Sequence, residues 1–125
     1  MALNRSAAQH AILLRAIRLI EQHLADPDLS PATVAQHAGI SLRYLQQLFE
    51  SIGDNATQAI RRRRLERCHS DLRDPRYGAE SITEISFRWG FNDAAYFSRI
   101  FKDVYGLSPS AHRRGRNARR ERLVA

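Results

Sequence analysis

The stretch "GFNDAAYFSRIFKDVYG", residues 90 to 106, decides the fold, because an earlier stretch, "GISLRYLQQLFESIG" at residues 39 to 53, is built the same way. Each opens with a glycine and a large apolar residue and passes through a short polar break. An aromatic-apolar pair follows (Tyr44-Leu45, Tyr96-Phe97), then an apolar-Phe pair four residues on (Leu48-Phe49, Ile100-Phe101), and each closes on a glycine. Both read as amphipathic helices entered from a tight turn.

The similarity extends backward. Ser30-Pro31 restarts the chain as a helix: serine caps the unpaired N–H groups, and proline suits the first turn, where its missing N–H costs little. Gly39 ends that short helix and Ser41 caps the next one. Ser81-Ile82-Thr83-Glu84 has the capping-box form S-x-x-E, its helix runs to about Trp89 and Gly90, and Asp93 caps the helix of the opening quotation. Superposition gives an offset of 51 for the first helices (Ser30 on Ser81, Ala35 on Ser86, Gly39 on Gly90) and 52 for the second (Tyr44 on Tyr96, Phe49 on Phe101). A capped short helix, a glycine turn and a second helix make a helix-turn-helix, here written twice. Ala35 and Ser86, with Gly39 and Gly90, are expected to let the paired helices approach closely.

Around these units, Ala8, Ala11, Ile12, Leu14, Ala16, Ile17, Leu19, Ile20 and Leu24 predict a first packing helix, from Ala7 to Leu24, with a wide apolar face. Asn55 to Leu72 predicts a connecting helix with Ala56, Ala59, Ile60, Leu65, Cys68 and Leu72 inside. "RDPRYGAE" reads as the clearest linker, Ser108-Pro109 starts a last short helix over about 108–114, and a basic tail occupies 115–125. No strand alternation is present. The expected fold is all-α, about seven helices, with two helix-turn-helix subdomains (about 30–53 and 81–106) joined by the connecting helix. At 125 residues the whole is expected to be a single domain.

The formal charge is +7 and the sequence pI about 10.7. Residues 1–60 hold four Lys/Arg against five Asp/Glu, and residues 61–125 hold sixteen against eight. A basic half beside a neutral half points to a polyanion bound on one face. One cysteine, Cys68, excludes an internal disulfide and a closed zinc site. The five histidines have no metal-ligand spacing, so no metal and no cofactor is expected. "MALNRSAAQH" lacks the apolar core of a secretory signal, and no apolar run approaches the roughly 20 residues needed to span a bilayer. A cytoplasmic protein with no membrane partner is expected.

In a helix-turn-helix the second helix lies in the major groove and presents early residues to base edges. With Leu45, Leu48 and Phe49 or Phe97, Ile100 and Phe101 turned inward, the candidate base contacts are Leu42, Arg43, Gln46 and Gln47 in one copy and Ala94, Ala95, Ser98 and Arg99 in the other. Arg pairs with guanine, Gln with adenine, and Ala offers a methyl contact to thymine. For any one position the alternative is an ordinary solvated face. Candidate phosphate contacts are Ser30, Thr33, Arg61, Arg62, Ser81, Thr83 and Arg113. Of the four consecutive arginines, Arg61 to Arg64, Arg64 is expected to brace the fold. An 18-residue connector spans roughly 27 Å, which would set two reading helices about one duplex turn, or about 34 Å, apart.

The chain resembles the AraC/XylS family of bacterial transcription regulators over about residues 10 to 114. The family's second-unit signature, I-x-x-I-A-x-x-x-G-F, S-Y-F-S-R-x-F-K and G-x-x-P-x-x-Y-R, is met by Ile82, Ile85, Gly90, Phe91, Tyr96, Phe97, Ser98, Arg99, Phe101, Lys102, Gly106, Pro109 and Arg113. First-unit elements are present as Ala35, Gly39, Ile40, Ser41, Leu48, Phe49 and Gly53. Departures are Ser86 for alanine, Ala95 for serine and His112 for tyrosine. The resemblance implies a seven-helix, two-unit domain that binds double-stranded promoter DNA in a sequence-specific way and activates transcription through RNA polymerase. With two readers in one chain, a monomer is expected, and with no second catalytic domain and no reactive cysteine visible, no enzyme is expected. Most members carry a further domain ahead of this one, so the chain is read as a stand-alone regulator or an excised domain, with "MALNRSAA" as a cut linker favouring excision. Two other readings stand beside it: a DNA-holding module of a repair enzyme, and a sequence-neutral nucleic-acid binder. The tail, with six arginines from Arg113 onward, reads as a phosphate-binding arm or a solubilising end.

Overall fold

The computed structural model describes the backbone of residues 2–115 and the side chains of residues 6–115. The basic tail beyond 115, including Arg116, lies outside the described residues. Among the described residues the elements are α1 (Ala2–His23), α2 (Pro31–Ala38), α3 (Leu42–Ser51), α4 (Ala56–Arg73), a 3-10 turn (Pro75–Tyr77), α5 (Ile82–Arg88) and α6 (Ala94–Tyr105), followed by helical residues 109–115, here α7. No strand occurs among them.

The chain divides into two compact units, residues 1–63 and 64–125. The division falls within α4, not at "RDPRYGAE", and the reason is local. Asp74 caps the 3-10 turn by accepting from the Arg76 N–H at 2.9 Å, and Arg113 donates to the carbonyls of Glu80 and Tyr77 at 2.7 and 2.8 Å. The segment that looks like a linker is thus fastened to α7 within the second unit.

In the first unit α1, α2 and α3 pack mutually. Val34, Ala35 and Ala38 of α2 meet Leu45, Leu48 and Phe49 of α3, all buried. The inner stripe of α1 is narrower than its sequence suggests and includes Leu13, which the sequence reading leaves out. Leu13, Ala16, Ile20 and Leu24 are buried, at i, i+3, i+7 and i+11, whereas Leu14 and Ile17 are 45% and 36% exposed. In the second unit Leu65, Cys68, Leu72, Ile85, Phe91, Phe97, Ile100 and Phe101 form one cluster. Phe91, Phe97 and Phe101 tilt against one another at 4.9 and 5.6 Å, the offset that aromatic quadrupoles favour.

The two turns behave as capped stops. Gly39 sits at φ 70° and its N–H bonds the Gln36 carbonyl, while Ile40 reaches Ala35. A Cβ on Gly39 would meet nothing within 4 Å, so the left-handed backbone, and not a close helix approach, requires glycine there. The close packing is supplied by Ala35 and Ser86, which are fully or almost fully buried. Ser86 takes the place of an alanine without an unpaired hydroxyl, because its Oγ donates to the Thr83 carbonyl at 2.9 Å.

Candidate nucleic-acid interface

In the first unit, Ser41 accepts from the Tyr44 N–H at 3.0 Å and fixes the start of α3. With 100° per residue, Leu45, Leu48 and Phe49 occupy one arc of the helix and Leu42, Arg43, Gln46 and Gln47 another. The second four are all exposed. Glu50 falls in the middle of that same arc, one turn past Gln46, and is exposed too. Sequence reasoning passed over it, although the i, i+4 spacing from Gln46 was there to be read. With Gln46, Asp54, Asn55 and Thr57 it lines a polar crevice of about 250 Å³.

The second unit repeats the frame with different side chains. Asp93 accepts from the Tyr96 N–H at 2.9 Å and starts α6. Ala95, Ser98 and Arg99 are exposed and Ala94 is half-buried, opposite buried Phe97, Ile100 and Phe101. Lys102 stands where Glu50 stands in α3 and is exposed. The Arg99 guanidinium lies 5.4 Å over the Tyr96 ring, so the preceding turn of the same helix limits where it can reach.

The candidate phosphate contacts differ in what they can still offer. Ser30 and Thr33 form a reciprocal cap: Thr33 N–H donates to Ser30 Oγ at 3.3 Å and Ser30 N–H to Thr33 Oγ1 at 2.9 Å. Thr33 Oγ1 also donates to the Ser30 carbonyl at 2.9 Å, which commits its proton, whereas Ser30 uses its hydroxyl as an acceptor only. Ser81 likewise accepts from Glu84 N–H at 3.0 Å while Glu84 returns to Ser81 N–H at 3.3 Å. Thr83 and Arg61 are exposed.

Arg62 is exposed but paired with Asp54 at 2.7 Å, and its hydrogen bond is the main reason the Asp54 carboxyl is held below the usual carboxylate range. An exposed pair of this kind contributes at most about 1 kcal/mol, so a phosphate can displace it. Arg63 pairs with Glu21 on α1, 42 positions away, and braces the first unit. Arg113 is engaged by the two carbonyls that hold the 74–81 segment. Beside it, Asp71 accepts from Trp89 Nε1 at 2.8 Å and from Arg88 at 3.2 Å, Arg88 also pairs with Glu80, and its guanidinium lies 4.6 Å over Tyr77. Trp89 is therefore a hydrogen-bonded, half-buried part of the second unit. Cys68 is fully buried, and burial pushes its thiol up to about 12, which withholds a thiolate nucleophile.

A family profile described as "Helix-turn-helix domain" matches residues 34–115, from within α2 through α6 to the end of α7. The solved AraC-type DNA-binding regulator from Chromobacterium violaceum superposes with a TM-score of 0.76 at 26% identity, over 88% of this chain and 96% of that one. The chain belongs to the AraC/XylS family. The C-terminal domain of AraT, a response regulator from Geobacillus stearothermophilus, also gives a TM-score of 0.76, at 30% identity over 84% and 85% of the two chains. Among curated relatives, the transcriptional activator NphR of Rhodococcus sp is 33% identical over 102 residues, 82% of this chain and 30% of that protein. The transcriptional activator RhrA of Rhizobium meliloti is 37% identical over 95 residues, 76% of this chain and 30% of its own. The chain thus spans about a third of the length of the curated relatives it matches. The fold is the family's all-helical one with two helix-turn-helix units.

Proposed function

We propose that this chain binds specific double-stranded DNA and regulates transcription, as an activator, by laying α3 and α6 into major grooves. The observation that carries the reading is the duplicated one: two N-capped helices each bury one apolar arc and expose, on the other, side chains with the donor, acceptor and methyl chemistry that discriminates bases. The exposed Arg61, the hydroxyl of Ser30, and Arg62 after release from Asp54 are the phosphate-positioning groups of the first unit, with Ser81 and Thr83 in the second. Arg113 and Thr33 serve chiefly to hold the backbone in place. RNA polymerase is the partner that activation requires. The protein acts in the cytoplasm, and a chain of this extent binds as a monomer; no helix among the described residues is long and apolar enough to cross a membrane.

The names of the relatives favour a regulator over an enzyme, and the buried Cys68 removes the one thiol a repair reaction could use. Selection of duplexes from a random pool, followed by competition, separates the remaining readings. A selected duplex is expected to outcompete random DNA by about 10³-fold or more. Equal affinity for both overturns the regulator reading in favour of a sequence-neutral binder.

A further inference from the structure

His112, on α7, is only 9% exposed, and its Nε2 has no hydrogen-bond partner. Its ring shares a hydrogen bond with the backbone of His69 on α4 and lies 4.2 Å from the His69 ring, at an interplanar angle of 35°. Tyr105 of α6 closes the cluster, 4.3 Å from His69, and Phe101 of α6 lies 5.6 Å from His112. The two rings are tilted against each other, and no group of three metal-ligating side chains occurs among the described residues. The cluster is suited instead to sensing protons. A second proton on His112 would create a buried N–H without an acceptor beside another imidazole.

We propose that the His69–His112 pair is an acid-operated latch on the second unit: α7 stays docked against α4 and α6 while both imidazoles are neutral, and is released on mild acidification. The charges around the pair reinforce this direction. Arg73, from α4, repels a proton on either ring, and His112 repels one on His69; only the hydrogen bond to the His69 backbone acts the other way on His112, and burial outweighs it. Tyr105 is itself kept neutral, first by burial and then by Glu66 and Cys68. Arg113, next to His112, directs its guanidinium to the Glu80 and Tyr77 carbonyls. Burial is the main cause that lowers both imidazoles below the ordinary histidine value.

Below about pH 6.5 the unfolded chain therefore binds more protons than the folded unit, and stability falls as pH drops through that value toward the lowered folded ones. Above about pH 6.5 the contribution is fully present. The loss lies well above the range near pH 4 where ordinary carboxylates titrate.

The test is urea unfolding of the 125-residue chain between pH 7.5 and 5.5, together with an NMR titration of its five histidines. The folding constant is expected to fall by up to about tenfold per pH unit for each imidazole, and His112→Phe and His69→Gln should each flatten that dependence. Equal pH dependence in the natural chain and both variants overturns the latch. Where a variant fails to fold, the natural chain decides alone: midpoints for His69 and His112 below 6.5 support the latch, and a midpoint at or above it for either ring overturns it. Neither readout involves DNA, so its failure leaves the proposed function untouched.

Discussion

The helices α3 and α6 share a frame and differ in what they show. Each is N-capped by a side-chain oxygen, and each buries a triplet little more than one turn long, Leu45, Leu48 and Phe49 against Phe97, Ile100 and Phe101. On the outer arc, Leu42 and Arg43 give way to two alanines, Gln46 to Ser98, Gln47 to Arg99, and Glu50 to Lys102. The cation thus moves from the first turn to the second, and a carboxylate becomes an ammonium. Packing restricts only the buried arc, because a lost core contact there costs several kcal/mol while a surface exchange costs a few tenths. The outer arc can then diverge, and on the proposed reading the two arcs face unlike stretches of DNA.

The widest break of this comparison would be a site read by one unit only. If α3 and α6 each read a base element, the preferred site holds two unlike elements centred about 10 bp apart. Inserting about 5 bp between them should remove at least two base pairs' worth of readout, about 3 kcal/mol or about 100-fold in affinity. An insertion of a full turn should fail as well. Footprinting and titration on these duplexes give the result, and retained tight binding after the half-turn insertion would assign all readout to one unit.

Side-chain removal sharpens the assignment of each face. Gln46→Ala should cost about 1 to 3 kcal/mol on the element facing α3 and leave the other element's preference intact, and Arg99→Ala should do the converse. Repeating the duplex selection with each variant locates the relaxed base pairs. A uniform loss on every duplex would move that residue from base reading to phosphate contact.

The smallest effect concerns Glu50 against Lys102. Lys102→Gln should lower the slope of log K against log salt by about 0.9 if the ammonium neutralises one phosphate. Glu50→Gln should tighten binding to all duplexes by a few-fold at low salt, since it removes a repelled carboxylate, and this gain should vanish as salt screens it. Unchanged salt dependence in both variants would place residues 50 and 102 away from the phosphate backbone.

Much of this was legible because caps and turns are local. Ser30, Ser41, Ser81 and Asp93 each bond an N–H three positions on, so sequence neighbours alone state where a helix begins. The faces of α3 and α6 followed from helical periodicity. The α1 stripe was read too wide and without Leu13, because Leu13, Leu14 and Ile17 are equally apolar and only packing against α2 and α3 selects Leu13.

The sequence by itself determined a basic, all-helical chain with one motif written twice and two unlike exposed arcs, because composition, caps and a 3.6-residue period involve only near neighbours. Tertiary structure decided how the charges are used. Arg62 is held by Asp54, Arg63 by Glu21, Arg88 by Asp71 and Glu80, and Arg113 by two carbonyls more than thirty positions back. It also brought His69 and His112 together, 43 positions apart, around a nitrogen without a partner. A sequence states that a charge exists, but whether it is spent on the fold or left for a ligand depends on distances of a few ångströms between residues that only folding makes neighbours.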